Sequence, residues 1–291
     1  VSTYLIDHGA YANARTKVAI TPLHLAVKAS STKVARILLS RRADVSAADN
    51  LGRTPMHLAL EGELDDEAMV ELLCSHGARI EGKDKDEQTP LHYACRSGHV
   101  ACARALLQHG ASVRAADAQG AMPLHLAARA GNIEVAQLLV ARECKVNARD
   151  RDGRPPLHEA AARGAHAAVL CLLNWGADAR AADKAGLTAL HYAAGRGDGD
   201  MATALLESGA QWTVASAAGK TPLDCLRDPQ ARAAIGVQGE TLPAERADEL
   251  EKLLRSYRAK DARRESKVFS MVRDLSMMWK DKASKNGDDG H

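Results

Sequence analysis

The 291-residue chain carries 39 Lys and Arg against 37 Asp and Glu, a formal net charge of +2, so it lacks the strongly basic balance of a duplex-binding surface. Three Trp, five Tyr and one Phe leave few platforms for stacking single-stranded bases, and nucleic acid is not expected as a partner. No apolar run approaches the ~18 residues that span a bilayer, and no secretory segment opens the chain, so the expected location is the cytoplasm, with the nucleus as the alternative.

The opening residues, Tyr4-Leu5-Ile6-Asp7-His8-Gly9-Ala10, read as the end of a helix followed by a Gly cap. Residues 1–15 are therefore expected to be a partial unit, continuing a longer protein upstream of Val1. A tetrapeptide then recurs. Thr21-Pro22-Leu23-His24 returns as Thr54-Pro55-Met56-His57, Thr89-Pro90-Leu91-His92, Met122-Pro123-Leu124-His125, Pro155-Pro156-Leu157-His158, Thr188-Ala189-Leu190-His191 and Thr221-Pro222-Leu223-Asp224, at intervals of 33, 35, 33, 33, 33 and 33 residues. Each copy predicts a short helix: Thr caps it, Pro fills a first turn that needs no amide donor, and Leu-x-x-Ala supplies a narrow apolar stripe.

A second, more apolar helix follows in each unit, through Leu38-Leu39, Leu106-Leu107, Leu138-Leu139, Leu172-Leu173 and Leu205-Leu206. It stops at a Gly suited to a left-handed cap, among them Gly77, Gly110, Gly176 and Gly209. A unit this small cannot bury its apolar face without a neighbour, so the array over residues 16–235 is predicted to be an all-α solenoid of about six full repeats flanked by partial ones.

Between units lies a D-x-x-G turn, at Asp49/Gly52, Asp117/Gly120, Asp150/Gly153 and Asp183/Gly186, which predicts a hairpin-like finger. Period and signature together resemble ankyrin repeats over roughly residues 1–235. The resemblance implies a non-catalytic scaffold or adaptor, whose first helices and fingers line a concave groove that grips another protein. A substrate-recruiting or tethering segment of a larger enzyme or channel is the alternative it leaves open.

Departures mark individual repeats. Two extra residues fall in the interhelix loop of repeat two, within Glu61-Gly62-Glu63-Leu64-Asp65-Asp66-Glu67, and predict an acidic lip. Glu87 and Ala19 stand where a finger Gly belongs, so those two fingers are expected to bend differently. Arg42 and Glu143 replace the capping Gly of the second helix, where a left-handed conformation costs a non-Gly residue roughly 1 kcal/mol.

Chemistry is sparse. Six of the twelve histidines sit in the signature, one per repeat, and are read as hydrogen-bonding ties between the turn and neighbouring backbone. Cys74, Cys95, Cys102, Cys144, Cys171 and Cys225 form no C-x-x-C pair and read as small core residues. No nucleophile elbow, H-E-x-x-H or phosphate loop occurs, so no catalytic residue, metal or cofactor is expected.

The groove is distinguished by charge. The seventh and eighth positions after each signature Thr, which present side chains to partners in the family it resembles, hold Lys28, Arg96, Arg129, Arg163 and Arg196 against one acid, Glu61. Fingers add Arg53, Arg151, Arg154 and Lys184. Guanidinium groups repeated along one wall suit carboxylate- or phosphate-bearing partners.

After the array, residues 236–243 read as a linker, 244–285 as a charged amphipathic helix and 286–291 as a disordered tail. That helix opens with Leu250, Leu253, Leu254 and Tyr257 on one strip and continues with Phe269, Val272, Leu275, Met278 and Trp279 on a second. From Arg255 to Lys285 ten Lys or Arg face four Asp or Glu. A basic, Met-containing amphipathic helix of this kind suits packing on the array, self-association or a calmodulin-like second partner.

Overall fold

The computed structural model describes residues 11–234 together with Gly236, Glu245 and 247–257. First and second helices alternate: α1 Pro22–Lys28, α2 Thr32–Ser40, α3 Pro55–Ala59, α4 Glu67–Ser75, α5 Pro90–Ser97, α6 Val100–Gln108, α7 Pro123–Ala130, α8 Ile133–Ala141, α9 Pro156–Arg163, α10 His166–Asn174, α11 Ala189–Gly195, α12 Gly199–Glu207, α13 Pro222–Arg227 and α14 Pro229–Ala234. Odd-numbered helices pack on odd and even on even, so the apolar stripe of each repeat closes against the next. Leu23, Met56, Leu91, Leu124, Leu157 and Leu190, the signature's third position, form a continuous buried spine.

Fingers add a second, polar seam. In each D-x-x-G turn one Asp oxygen accepts two backbone amides, as Asp49 Oδ1 does from Leu51 (2.8 Å) and Arg53 (2.9 Å). Successive fingers then join by one backbone hydrogen bond each, from Asn50 N to Val18 O, Lys85 N to Leu51 O, Ala118 N to Asp86 O, Arg151 N to Gln119 O, Lys184 N to Asp152 O and Ala217 N to Ala185 O. No strand forms among the described residues, where the seam is made of turns and a lone bridge between Ala182 and Thr188.

Gly120 shows why the turn favours glycine: φ is +77°, and a Cβ there would meet Arg151 N of the next finger at 2.8 Å. The expectation that Ala19 and Glu87 would bend their fingers differently is overturned. Both adopt the same left-handed turn, at φ 62° and 57°, with Ala19 N donating to Thr16 O (2.9 Å) and Glu87 N to Asp84 O (3.0 Å). Neighbouring fingers dictate the geometry, and the side chain accepts the strain.

The second helices end in the predicted way. Gly77, Gly110, Gly176 and Gly209 are left-handed, and Arg42 (60°) and Glu143 (57°) are held in the same conformation by the same 6→1 bonds, Ala43 N to Leu38 O and Cys144 N to Leu139 O. Ser30, in the interhelix turn of the first repeat, is left-handed as well (49°), a position the sequence reading passed over.

Residues 247–257 are helical and bury Leu250 and Leu254 in the same core as the array, with Leu253 and Tyr257 packed against it and Glu251 paired with Arg227. The first apolar strip thus closes the end of the solenoid. Phe269, Val272, Leu275, Met278 and Trp279, and with them the expected second contact, lie outside the described residues.

Candidate functional site

The first helices are positioned by the signature box. Thr21 N donates to His24 Nδ1 (3.1 Å), the Thr21 hydroxyl lies 2.8 Å from the same nitrogen, and His24 Nε2 lies 3.1 Å from the Arg53 carbonyl in the next finger. An Nδ1 that accepts an amide proton puts the ring's own proton on Nε2, which donates to that carbonyl. His57, His92, His125, His158 and His191 make the same reach to Gln88, Ala121, Arg154, Leu187 and Lys220. All six rings are buried, and desolvation pushes each below the ordinary imidazole value even though the carbonyl favours the charged form.

Repeat five breaks the box. Pro155 has neither an N–H nor a hydroxyl, and His158 Nδ1 is a buried acceptor with no hydrogen-bond partner. Met122, which lacks only the hydroxyl, still donates its amide to His125 (3.1 Å).

The predicted cations fall into two groups. Arg53 is held by Asp49 (2.9 Å) and Glu61 (3.0 Å), so the acid at the lip neutralises a finger arginine. Amide donors and that guanidinium hold the Asp49 carboxyl below its usual range, outweighing burial. Arg129 Nε donates to Glu159 (2.7 Å), and Arg154 lies 3.9 Å from Glu159 and 3.7 Å from Asp183. Arg96 is bonded to Gln88 (2.9 Å) and stacked 4.5 Å over the Tyr93 ring, and Arg196 donates to the Ala162 carbonyl (3.3 Å).

Lys28, Arg151, Arg163 and Lys184 form the other group. They are exposed, and none has a carboxylate partner among the described residues. The sequence reading named Asp49, Asp183 and Glu61 but missed Glu159, which holds Arg129 and lies near Arg154. Glu159 could have been noticed, because it stands where Leu25, Leu58, Tyr93, Leu126 and Tyr192 stand in the other repeats, and it is buried there.

The acidic lip is likewise partly engaged. Asp66 caps its own helix through Met69 N (3.0 Å), and Asp65 accepts from Ala101 N and Cys102 N of the next repeat (both 2.8 Å). Cys95, Cys102 and Cys225 are buried and the other three half-buried; desolvation pushes the Cys74, Cys144 and Cys225 thiols up to about 11. No helix among the described residues is long and apolar enough to cross a membrane.

Residues 1–84, 65–150 and 143–216 match the family model for ankyrin repeats (3 copies). The mouse (Mus musculus) B-cell lymphoma 3 protein homolog is 42% identical over 93 residues, covering 30% of this chain and 20% of that protein. Human transient receptor potential cation channel subfamily A member 1 is 34% identical over 112 residues, 37% of this chain and 10% of the channel. The chain thus matches a fifth or less of the length of these two relatives. Among solved structures, the ankyrin repeat domain of Bcl-3 (31% identity, TM-score 0.61) covers 75% of this chain and 99% of its own. The human ASB11 ankyrin repeat domain (27% identity, TM-score 0.66) covers 77% and 100%.

Proposed function

The chain belongs to the ankyrin-repeat family, whose domains are protein–protein interaction modules, and on that premise we propose that it is a non-catalytic adaptor gripping an acidic or phosphorylated protein in its groove. One observation carries the choice of partner: Arg151, Arg163 and Lys184, in the fifth repeat and the fingers on either side of it, are exposed and have no carboxylate partner among the described residues. A phosphate or carboxylate arriving there gains charge-assisted hydrogen bonds without breaking an internal ion pair. At Arg53, Arg129 and Arg154 it would have to displace a resident acid, so these three act as buttresses of the wall.

The test is affinity capture from the source cell with the 291-residue chain and with an Arg151→Glu/Arg163→Glu/Lys184→Glu variant. The wild type should retain a set of proteins that the variant and raised salt both lose. Identical captured sets would remove the acidic-ligand reading.

A second reading is favoured by the short span of the match to each relative. The array is then the recruiting or tethering segment of a larger enzyme or channel, using the same groove.

A further inference from the structure

Among the described residues, Asp65, His99 and Cys102 place a carboxylate oxygen, an imidazole nitrogen and a sulfur all within 4.8 Å of one another. No sequence spacing announces this trio, and the sequence reading expected no metal. The fold assembles it, by bringing the two-residue insertion of repeat two against the start of α6 in repeat three.

Capping accounts for Asp65 but not for His99. Asp65 takes both of the amides that a residue at the start of α6 would otherwise accept, each carboxylate oxygen using one lone pair. His99 occupies the cap position of α6, where Asp66 and Asp198 in sister repeats accept from their own helices at Met69 and Met201. Displaced from that role, His99 is 4% exposed with a buried Nδ1 that has no hydrogen-bond partner. A buried polar atom left without a partner costs about 1–3 kcal/mol. One of the His99 ring nitrogens lies within 4.8 Å of a carboxylate oxygen and a thiol sulfur, which together are a donor set for a borderline-soft ion.

We propose that Asp65, His99 and Cys102 bind one divalent cation of the zinc type, which staples the interhelix loop of repeat two to the second helix of repeat three. Zinc accepts sulfur, imidazole and carboxylate together, at about 2.0–2.3 Å, in a tetrahedron whose edges are about 3.5 Å. Ligand atoms already within 4.8 Å reach that by small side-chain rotations. Cys102 and His99 are buried and Asp65 is exposed, so the ion enters past Asp65 and water completes the fourth position. Binding forms a metal–sulfur bond and releases the thiol proton to solvent.

The test uses the full chain, reduced and freed of metal with a chelator, titrated with Co²⁺ as a coloured stand-in and then with Zn²⁺. The expected result is one equivalent of Co²⁺ giving a near-ultraviolet thiolate-to-cobalt charge-transfer absorption. Zn²⁺ should displace it and raise the thermal midpoint. Cys102→Ala should lose the absorption, while Cys95→Ala and Cys144→Ala keep it. Asp65→Asn, which keeps one of the two amide-accepting oxygens, should weaken Zn²⁺ binding at least about tenfold. Absence of the absorption at saturating Co²⁺, or its survival in Cys102→Ala, overturns the site. If Cys102→Ala does not fold, Asp65→Asn decides: weaker binding supports the site and unchanged affinity overturns it.

Discussion

Two rows of side chains run along the array, one per repeat, and they follow opposite rules. The signature histidines are buried and all reach the carbonyl of the next finger. The cations expected in the groove change partner from repeat to repeat, from Asp49 and Glu61 to Gln88 and Tyr93 to Glu159 to no carboxylate among the described residues. What is repeated holds each unit to its neighbour, and what varies is where the proposed recognition would be placed. In a one-dimensional fold this division is required, because stability is a sum over junctions while specificity depends on differences among them.

Acid should break the first row before the second, and this is the largest effect expected. The six imidazoles have folded pKa values below the ordinary 6.5, so the unfolded chain takes up protons first. Their contribution to stability is complete above pH 6.5 and is lost as pH falls from there through the folded values. Asp49, whose folded value lies below 3.8, stays ionised across that window, so the Arg53 pair persists. Urea midpoints should fall steeply from pH 7 to pH 5 with little dependence on salt. A flat midpoint over that range would mean the histidines do not hold the junctions.

Repeat five sharpens the comparison from within the first row. Pro155 already has the extended backbone of the signature, with φ −79° and ψ 165°, close to −88° and 164° at Thr89. Pro155→Thr should therefore supply the missing amide and hydroxyl to His158 Nδ1 without moving the chain. The restored hydrogen bonds outweigh the unfolded-state entropy that Pro removes, for a net gain of about 1 kcal/mol. Equilibrium urea unfolding measures it, and a loss of stability would show that His158 needs no donor.

The first row was legible in the sequence because it is periodic: Thr-Pro-Leu-His, the Leu pairs and the turn Gly recur at fixed positions, and even Arg42 and Glu143 could be placed in left-handed caps by register alone. The second row was legible only as composition. Arg129 and Arg163 look alike in the sequence, yet a buried Glu159 thirty residues on occupies one, and no carboxylate among the described residues meets the other. The fingers carrying Ala19 and Glu87 show the converse error, where a local preference for Gly was overruled by the finger-to-finger seam. Asp65, His99 and Cys102 are brought together where an insertion in the interhelix loop of repeat two meets repeat three, a contact that no within-repeat pattern encodes.

The smallest effect falls on the second row. Arg163→Ala removes an exposed guanidinium with no carboxylate partner among the described residues, so the folded chain should change in stability by less than about 0.5 kcal/mol. Arg129→Ala, by contrast, leaves Glu159 buried with only the more distant Arg154 at 3.9 Å, and should cost measurably more. The same pair should reverse order in partner capture at low salt, where Arg163→Ala loses more because its charge is not already spent on an internal acid. Parallel urea unfolding and capture on the two variants would separate the roles. Equal stability losses, or equal retention of partners, would mean that the internal ion pairs do not divide the groove into frame and contact.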